Sequence, residues 1–259
     1  MNVLGIETST ARSSVCLGSD RGLLATAALG RPQAHGEFLA PAITFCLERA
    51  GIGLETVDGV AVSVGPGLYT GMRVGLVTAQ TLAHARQLPV VGQSSLDVLA
   101  FGFRHAAAVG RALFAVLDAK RGELFWAAYR ATAEGVSRVT EQRVGPPERL
   151  AGEIEAAGGA PICAGDGAAA HEALLTSAGG TVVTTWSAPS AVALVEMALP
   201  RFLRHDTQRP EDLRAVYLRQ PDAKISWRNR GALHGGPGQP PSDAVARPTD
   251  SPARGGEGV

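Results

Sequence analysis

The chain has 259 residues, with 24 Lys and Arg against 24 Asp and Glu, and is 45% hydrophobic, 5% aromatic and 19% charged. That length leaves room for two small domains and a sizeable core. Zero net charge excludes bulk attraction to duplex nucleic acid or to an anionic membrane, because counterion release needs a basic face, so any RNA contact has to be local or made by a partner.

From the N-terminus, runs at 1–6, 14–17 and 23–27 read as three strands separated by turn residues. A helix-period stretch follows over 35–50, then a β-branched run at 60–64, a helix over 70–86, a short strand at 89–91 and a helix over 94–103. From Arg111 the order recurs, with strands at 112–117, 123–129 and 136–143, a helix over 147–157, a strand at 161–164, a helix over 168–177, a strand at 181–184 and a helix over 190–204. The recurrence lies in element order, not in residue identity. It predicts two tandem βββαβαβα units with largely buried strands, the α/β layout of the actin-like (ASKHA, ribonuclease H-like) superfamily, which commonly closes on ATP; one continuous doubly wound sheet is the alternative arrangement of the same elements. The expected division is 1–104 for the first domain, completed by the helix near 190–204, then 108–187 for a smaller second domain and 188–222 for a C-terminal helix and extension. Residues 229–259 hold five Pro and seven Gly in 31 positions, so the tail from 223 is expected to be disordered.

Cys16, Cys46 and Cys163 are far apart and lack C-x-x-C spacing, which suggests neither a disulfide framework nor a thiolate zinc site. The N-terminal stretch has no basic region of a leader, and no apolar run reaches the ~18 residues of a membrane span, so a cytoplasmic protein is expected.

Two segments carry candidate chemistry. Glu7, Thr8, Ser9 and Thr10 form a hydroxyl-rich turn between the first two strands. In the actin-like superfamily such a turn holds phosphates, which makes these four residues candidate nucleotide ligands; a plain hairpin turn explains the same residues equally well. The second segment is Gly65-Pro66-Gly67-Leu68-Tyr69-Thr70-Gly71-Met72-Arg73-Val74-Gly75-Leu76, joining a strand to a helix, with Thr70 as the expected N-cap. It lacks the Lys of a Walker loop and the spacing of a dinucleotide fingerprint. Gly71, Gly75 and Ala79 recur every four residues and make a small helix face, suited either to a partner helix or to the chain's own core. On the preceding helix, His35, Leu39, Ala42, Ile43, Cys46, Leu47 and Ala50 follow the 3.6 period, while Phe38 and Phe45 lie on a second side. A helix apolar on two sides has two surfaces to pack against. Phe38, Ala42, Phe45, Gly71, Met72, Gly75 and Ala79 are therefore the candidate partner interface.

The strand end Ile6-Glu7-Thr8-Ser9, the His35-x-x-x-Leu39-x-Pro41 helix start, the GPGLYTGMRVGL block with Gly65, Pro66, Gly67, Thr70, Gly71, Arg73 and Gly75, Ser94-Ser95-Leu96-Asp97, Asp118-Ala119-Lys120-Arg121-Gly122-Glu123, Gly165-Asp166-Gly167 and Tyr217-Leu218-Arg219 together resemble the TsaB (YeaZ) family. The resemblance covers residues 1 to about 220, and the glycine block is its most specific part. It implies two actin-like domains and a non-catalytic subunit of the machinery for tRNA N6-threonylcarbamoyladenosine (t6A) at position 37. That subunit heterodimerises with the paralogous transferase TsaD, helps recruit the ATPase TsaE, forms a homodimer when alone, and reaches tRNA through the complex. No cofactor and no metal are implied. The residues agree on one point: His35, His84, His105, His171, His205 and His234 include no i, i+4 pair, so the two-histidine helical metal site of the transferase cannot be built. Gly165-Asp166-Gly167 sits where the superfamily's adenosine loop would be and reads equally as a helix start with Asp166 as N-cap. The competing reading is an autonomous ATP-binding enzyme of the actin-like superfamily, motivated by Thr8-Ser9-Thr10.

Overall fold

In the computed structural model, which describes residues 1–31 and 34–219, the strands assemble into two sheets of one topology. The first contains β1 (Asn2–Glu7), β2 (Ser13–Ser19), β3 (Gly22–Leu29), β4 (Gly59–Gly65) and β5 (Val90–Ser94) in the order β3-β2-β1-β4-β5. β1, β2 and β3 make an antiparallel meander, and β4 and β5 add in parallel. The second contains β6 (Ala112–Lys120), β7 (Glu123–Ala131), β8 (Val136–Arg138), β10 (Ile162–Ala164) and β11 (Thr181–Val183) in the order β11-β10-β6-β7-β8, with β9 (Arg143–Gly145) also pairing β7. β6, β7, β8, β10 and β11 thus take the places of β1, β2, β3, β4 and β5. The expected duplication is a duplication of topology.

Helices cover both faces of each sheet. α1 (His35–Ala50) and α2 (Tyr69–Arg86) bury Leu39, Ala42, Ile43, Cys46, Ala79 and Ala83 against Leu4, Ile6, Val15, Leu17, Val60 and Val62. The opposite face, Val3, Cys16, Ala61 and Val91, packs on Val98 of α3 (Ser95–Gly102) and on Leu194, Val195, Ala198 and Phe202 of α7 (Ala191–Leu203). In β6 alternation sends Leu113, Ala115 and Leu117 to one core and Phe114 and Val116 to another, as the two-residue strand period requires. The first set meets α3 through Leu96, Leu99, Ala100 and Phe103; the second meets α4 (Pro147–Ala157), α5 (Asp166–Ala170) and α6 (Glu172–Ser177) through Leu150, Ile154, Ala168 and Leu175. α3 therefore buries apolar residues on two sides and lies between the two sheets, which explains why its eight residues show no clean amphipathic period.

Beyond α7 the chain turns back across the first sheet. Val90 and Gln208 exchange backbone hydrogen bonds of 3.0 and 2.8 Å, Gln80 Nε2 donates to the Pro210 and Leu213 carbonyls at 3.0 and 3.2 Å, and Leu213 is buried in the α1–α2 core. Val216 N–H then donates to the Val64 carbonyl at 2.7 Å, Leu218 packs on the second core, and Arg219 Nη1 meets Glu123 Oε2 at 2.7 Å. Met1–Gln220 form one compact unit. The expectation of disorder for 223–259 falls outside the described residues.

Several elements depart from the sequence reading. The strand expected over 136–143 breaks into β8 and β9. The helix expected over 168–177 is interrupted at His171, whose φ of −120° is not helical. α1 runs unbroken through Pro41; Pro41 and Glu37, whose carbonyl loses its intrahelical partner, are both exposed. Thr70 does not cap α2: the helix starts at Tyr69 after Leu68, with no side-chain cap. Asp166 is the first residue of α5 rather than its cap, which is Gly165 at φ 120°.

Candidate functional site: a closed turn and an exposed helical stripe

Glu7 ends β1, and its carboxylate folds back on its own turn. Oε1 accepts the Ser9 N–H at 2.7 Å and the Ser9 hydroxyl at 2.6 Å, while Oε2 accepts the hydroxyl of Ser63 from β4. Thr8 Oγ1 donates to the Gly71 carbonyl at 2.7 Å, and the Ser9 carbonyl accepts Leu68 N–H at 2.7 Å. Thr10 Oγ1 accepts Arg12 N–H at 3.3 Å. Ser13 Oγ and His35 Nδ1 lie 2.6 Å apart and tie β2 to the first turn of α1.

The glycine block is the receptacle for this turn. A Cβ at Gly71 would stand 2.2 Å from the Thr8 carbonyl oxygen and 3.0 Å from His35 Nε2, and one at Gly75 would stand 2.2 Å from Thr8 Oγ1. Gly67 abuts the Ser9 carbonyl in the same way. Gly65 closes β4 and is buried with Pro66. Two expectations are corrected here. Gly71, Met72, Gly75 and Ala79 are buried inside their own unit and so is Ala42, so they offer no surface to a partner. A helical period finds a small face but not what covers it. Glu7, Thr8, Ser9 and Thr10 are at most 3% exposed, and the Ser9 N–H and the Thr8, Ser9 and Ser63 hydroxyls, the donors a phosphate would use, are already spent on the Glu7 carboxylate or the Gly71 carbonyl.

Burial pushes the Glu7 carboxyl above its ordinary 4.5, against the pull of its bonds from Ser63 and Ser9. A raised folded-state value means that Glu7 favours folding below pH 4.5 and that this contribution is lost as pH rises through the folded value. Glu7→Gln removes that dependence. Denaturant unfolding at stepped pH should therefore show the stability of wild type minus variant falling above pH 4.5, by at most about 1.4 kcal/mol per pH unit; a rising difference contradicts it.

The corresponding turn of the second sheet is also filled by its own side chains. Asp166 Oδ1 accepts Asp118 N–H at 2.9 Å, and Lys120 Nζ reaches Asp118 Oδ2 at 2.6 Å. Lys120 and Arg121 hold φ of 63° and 58°, a left-handed pair at the tip of the β6–β7 hairpin. Among the described residues no group of three or more His, Cys, Asp or Glu is placed to hold a metal, and no helix is long and apolar enough to cross a membrane.

The outer sides of α1 and α2 are different in kind. Of the residues expected at the interface, Phe45 is 46% exposed, with the Arg49 guanidinium 5.7 Å from its ring centre, and Phe38 is half-buried. On α2, Tyr69, Arg73 and Val77 stand four residues apart on the side opposite the glycines, with Tyr69 and Val77 47% and 54% exposed. Thr70 is exposed beside them. Arg73 lies 5.3 Å from the Tyr69 ring centre and bonds its hydroxyl at 2.5 Å; the Tyr217 ring is 5.6 Å away. Sequence reasoning missed Tyr69 and Val77. The 3.6 period that marked Gly71 and Gly75 marks them too, half a turn round the helix.

Comparison with known proteins agrees with this architecture. The family model for TsaD, tRNA N6-adenosine threonylcarbamoyltransferase, matches residues 31–227. The tRNA threonylcarbamoyladenosine biosynthesis protein TsaB of Escherichia coli is 30% identical, over 88% of this chain and 97% of its own. A transferase of Methylorubrum extorquens is 39% identical, but over 38% of this chain and 34% of its own. A crystal structure from Pseudomonas aeruginosa, described as an uncharacterized protein with similarity to peptidase YEAZ, superposes with a TM-score of 0.75 at 29% identity, over 84% of this chain and 99% of its own. Full-length agreement with the TsaB and YeaZ proteins, against partial agreement with the transferase, decides between the two paralogs: the chain belongs to the TsaB (YeaZ) family of tRNA threonylcarbamoyladenosine biosynthesis proteins.

Proposed function

We propose that this chain acts in t6A synthesis as the non-catalytic scaffold subunit, heterodimerising with a TsaD-like transferase and helping to recruit a TsaE-like ATPase. The observation that carries the reading is the closed turn at Glu7–Thr10. Where an actin-like enzyme would receive phosphates, this chain packs its own Gly67–Gly75 segment and satisfies every polar group of the Glu7 carboxylate from within. The absence of an i, i+4 histidine pair from the sequence supports the same assignment, since the transferase's helical metal site has no counterpart.

The docking face is the outer stripe of α1 and α2, centred on Phe45 and Val77. An exposed aromatic with an arginine over its ring is the composition of interface centres, where a few such residues dominate affinity. Alone, the chain covers this stripe with a second copy; mixed with the transferase, it exchanges that copy for its paralog. tRNA is then met mainly by the transferase, as the chain's zero net charge requires. Light scattering tests this directly: the chain alone is expected at twice its 26.7 kDa mass and the equimolar mixture at one copy of each protein. A monomer that stays separate from the transferase overturns the assignment.

A further inference from the structure

We propose that the cavity between α3, the start of α7 and the 184–190 connection is a binding site for a small molecule with an oxyanion head and an apolar body. The proposal goes beyond the assembly reading and does not rest on it. The cavity lies on the α3–α7 face of the first sheet, opposite the face that carries α1 and α2, and its lining includes no residue of the turns at 7–10, 118–123 or 165–167.

The cavity has a volume of about 510 Å³, which falls among those of pockets that enclose metabolites. Its walls are fixed before anything enters. Ser14 Oγ accepts Ala191 N–H at 2.9 Å and so ties β2 to α7, Ser190 Oγ accepts Ala193 N–H at 3.2 Å, and Arg104 Nη2 joins the segment after α3 to Glu196 of α7 at 3.0 Å. A preformed wall spares a ligand the cost of ordering it. Val98, Leu99 and Gly102 of α3, with Val192 and Ala193 of α7, give the apolar part of the lining, the share that takes a hydrocarbon body.

The polar part of the lining is short of acceptors. The Arg12 guanidinium makes one bond, from Nη1 to Ser187 Oγ at 3.3 Å, and among the described residues the Trp186 indole N–H, the Thr185 hydroxyl and the His105 ring have no hydrogen-bond partner. Trp186 is half-buried, yet its N–H is not sealed in the core, where Ser95 Oγ is the one unpartnered side-chain atom among the described residues. That donor is open to what enters the cavity. The donors also gather in one place, because Arg12 is bonded to Ser187, and Thr185, Trp186 and Ser187 are consecutive.

Charge completes the match. Glu196 is the one carboxylate in the lining, and Arg104 already holds it. A cation would find no free counter-charge, and a neutral apolar molecule would strip the donors of water and return no acceptor. An oxyanion suits them, since the planar fork of Arg12 matches two of its oxygens. Phosphate esters and carboxylic acids share this chemistry.

The experiment is isothermal titration calorimetry of the full chain with phenyl phosphate, benzoate, benzylamine and inorganic phosphate. The first three carry one ring and differ in the head, and the last is a head alone. Phenyl phosphate or benzoate should bind with a Kd of ~1 mM or tighter, as suits about ten heavy atoms, and the tighter of the two identifies the head. Benzylamine should bind at least about tenfold more weakly than that probe, and so should inorganic phosphate. Arg12→Gln should weaken the preferred probe at least about tenfold while Arg12→Lys keeps part of the affinity, because the charge stays and the fork is lost. Val192→Phe should weaken it at least about fivefold by filling the space of the ring. The Arg12 side chain is exposed and makes a single bond, so the Arg12 variants should melt with wild type and associate with the transferase as it does. No saturable binding of either ring oxyanion, equal binding of benzylamine, or an affinity unchanged in Arg12→Gln overturns the site. Inorganic phosphate bound as tightly as phenyl phosphate also overturns it, since that reduces the cavity to a surface arginine.

Discussion

Gly71→Ala is expected to lower the melting temperature by roughly 10 °C, although it adds a single methyl group to a helix and raises helix propensity by about 1 kcal/mol. The methyl would sit 2.2 Å from the Thr8 carbonyl oxygen, well inside contact distance, and the obstacle is backbone rather than the end of a flexible side chain. Relief requires α2 to move away from the β1–β2 turn. That movement would stretch the Thr8 hydroxyl's 2.7 Å bond to the Gly71 carbonyl and crowd His35, whose Nδ1 is tied to Ser13. Overpacking of this kind costs about 3 kcal/mol, and for a folded unit of this size each kcal/mol moves the midpoint by about 2–4 °C. Thermal denaturation followed by circular dichroism measures it. A midpoint within about 2 °C of wild type would show that the turn is not seated on the glycine face. Gly152→Ala is the control, since a Cβ at Gly152 meets nothing within 4 Å.

Phe45→Asp is expected to leave the melting temperature unchanged and to weaken association with the transferase by about 30-fold or more, the factor that corresponds to a loss of 2 kcal/mol at an interface centre. The asymmetry follows from position. Phe45 is 46% exposed on α1, while its helix neighbours Leu39, Ala42, Ile43 and Cys46 hold the core, so a carboxylate at 45 disturbs no packing in the free chain. In the complex the same carboxylate would be desolvated against an apolar surface, without a partner unless Arg49 turns to meet it. Size-exclusion chromatography of the mixture and a titration by calorimetry read the loss. Unchanged affinity would remove Phe45 from the interface and leave the docking face unassigned. A variant at Gly75 cannot serve this purpose, because it would act on the fold through Thr8 before it acted on any partner.

The fold was legible to the extent that its signals are local. α1 and α4 begin and end where periodicity and flanking residues place them, and element order alone revealed the duplication. The failures share a cause. The β8–β9 break and the interruption at His171 depend on how short segments meet the second sheet, which no window of sequence contains. Glu7 bonds Ser63, 56 residues away, and Ser14 accepts a hydrogen bond from Ala191, 177 residues away, so the closure of the turn was invisible in the residues that form it. The small face of α2 was detected correctly as a face. Its assignment to a partner failed because packing distance, not period, decides whether a glycine looks outward or onto a carbonyl, and half a turn away Tyr69 and Val77 were the surface.

The placement of α3 bears on how the molecule comes apart. Leu96, Leu99, Ala100 and Phe103 belong to the core of the second sheet, while Val98, one residue removed, belongs to that of the first. A cut in the connection after α3 would leave each half of the duplication with an open apolar seat, one stripped of a helix and the other of a floor. The two copies of the topology therefore share a single melting unit, and the chain that is double in its drawing is single in its cooperativity.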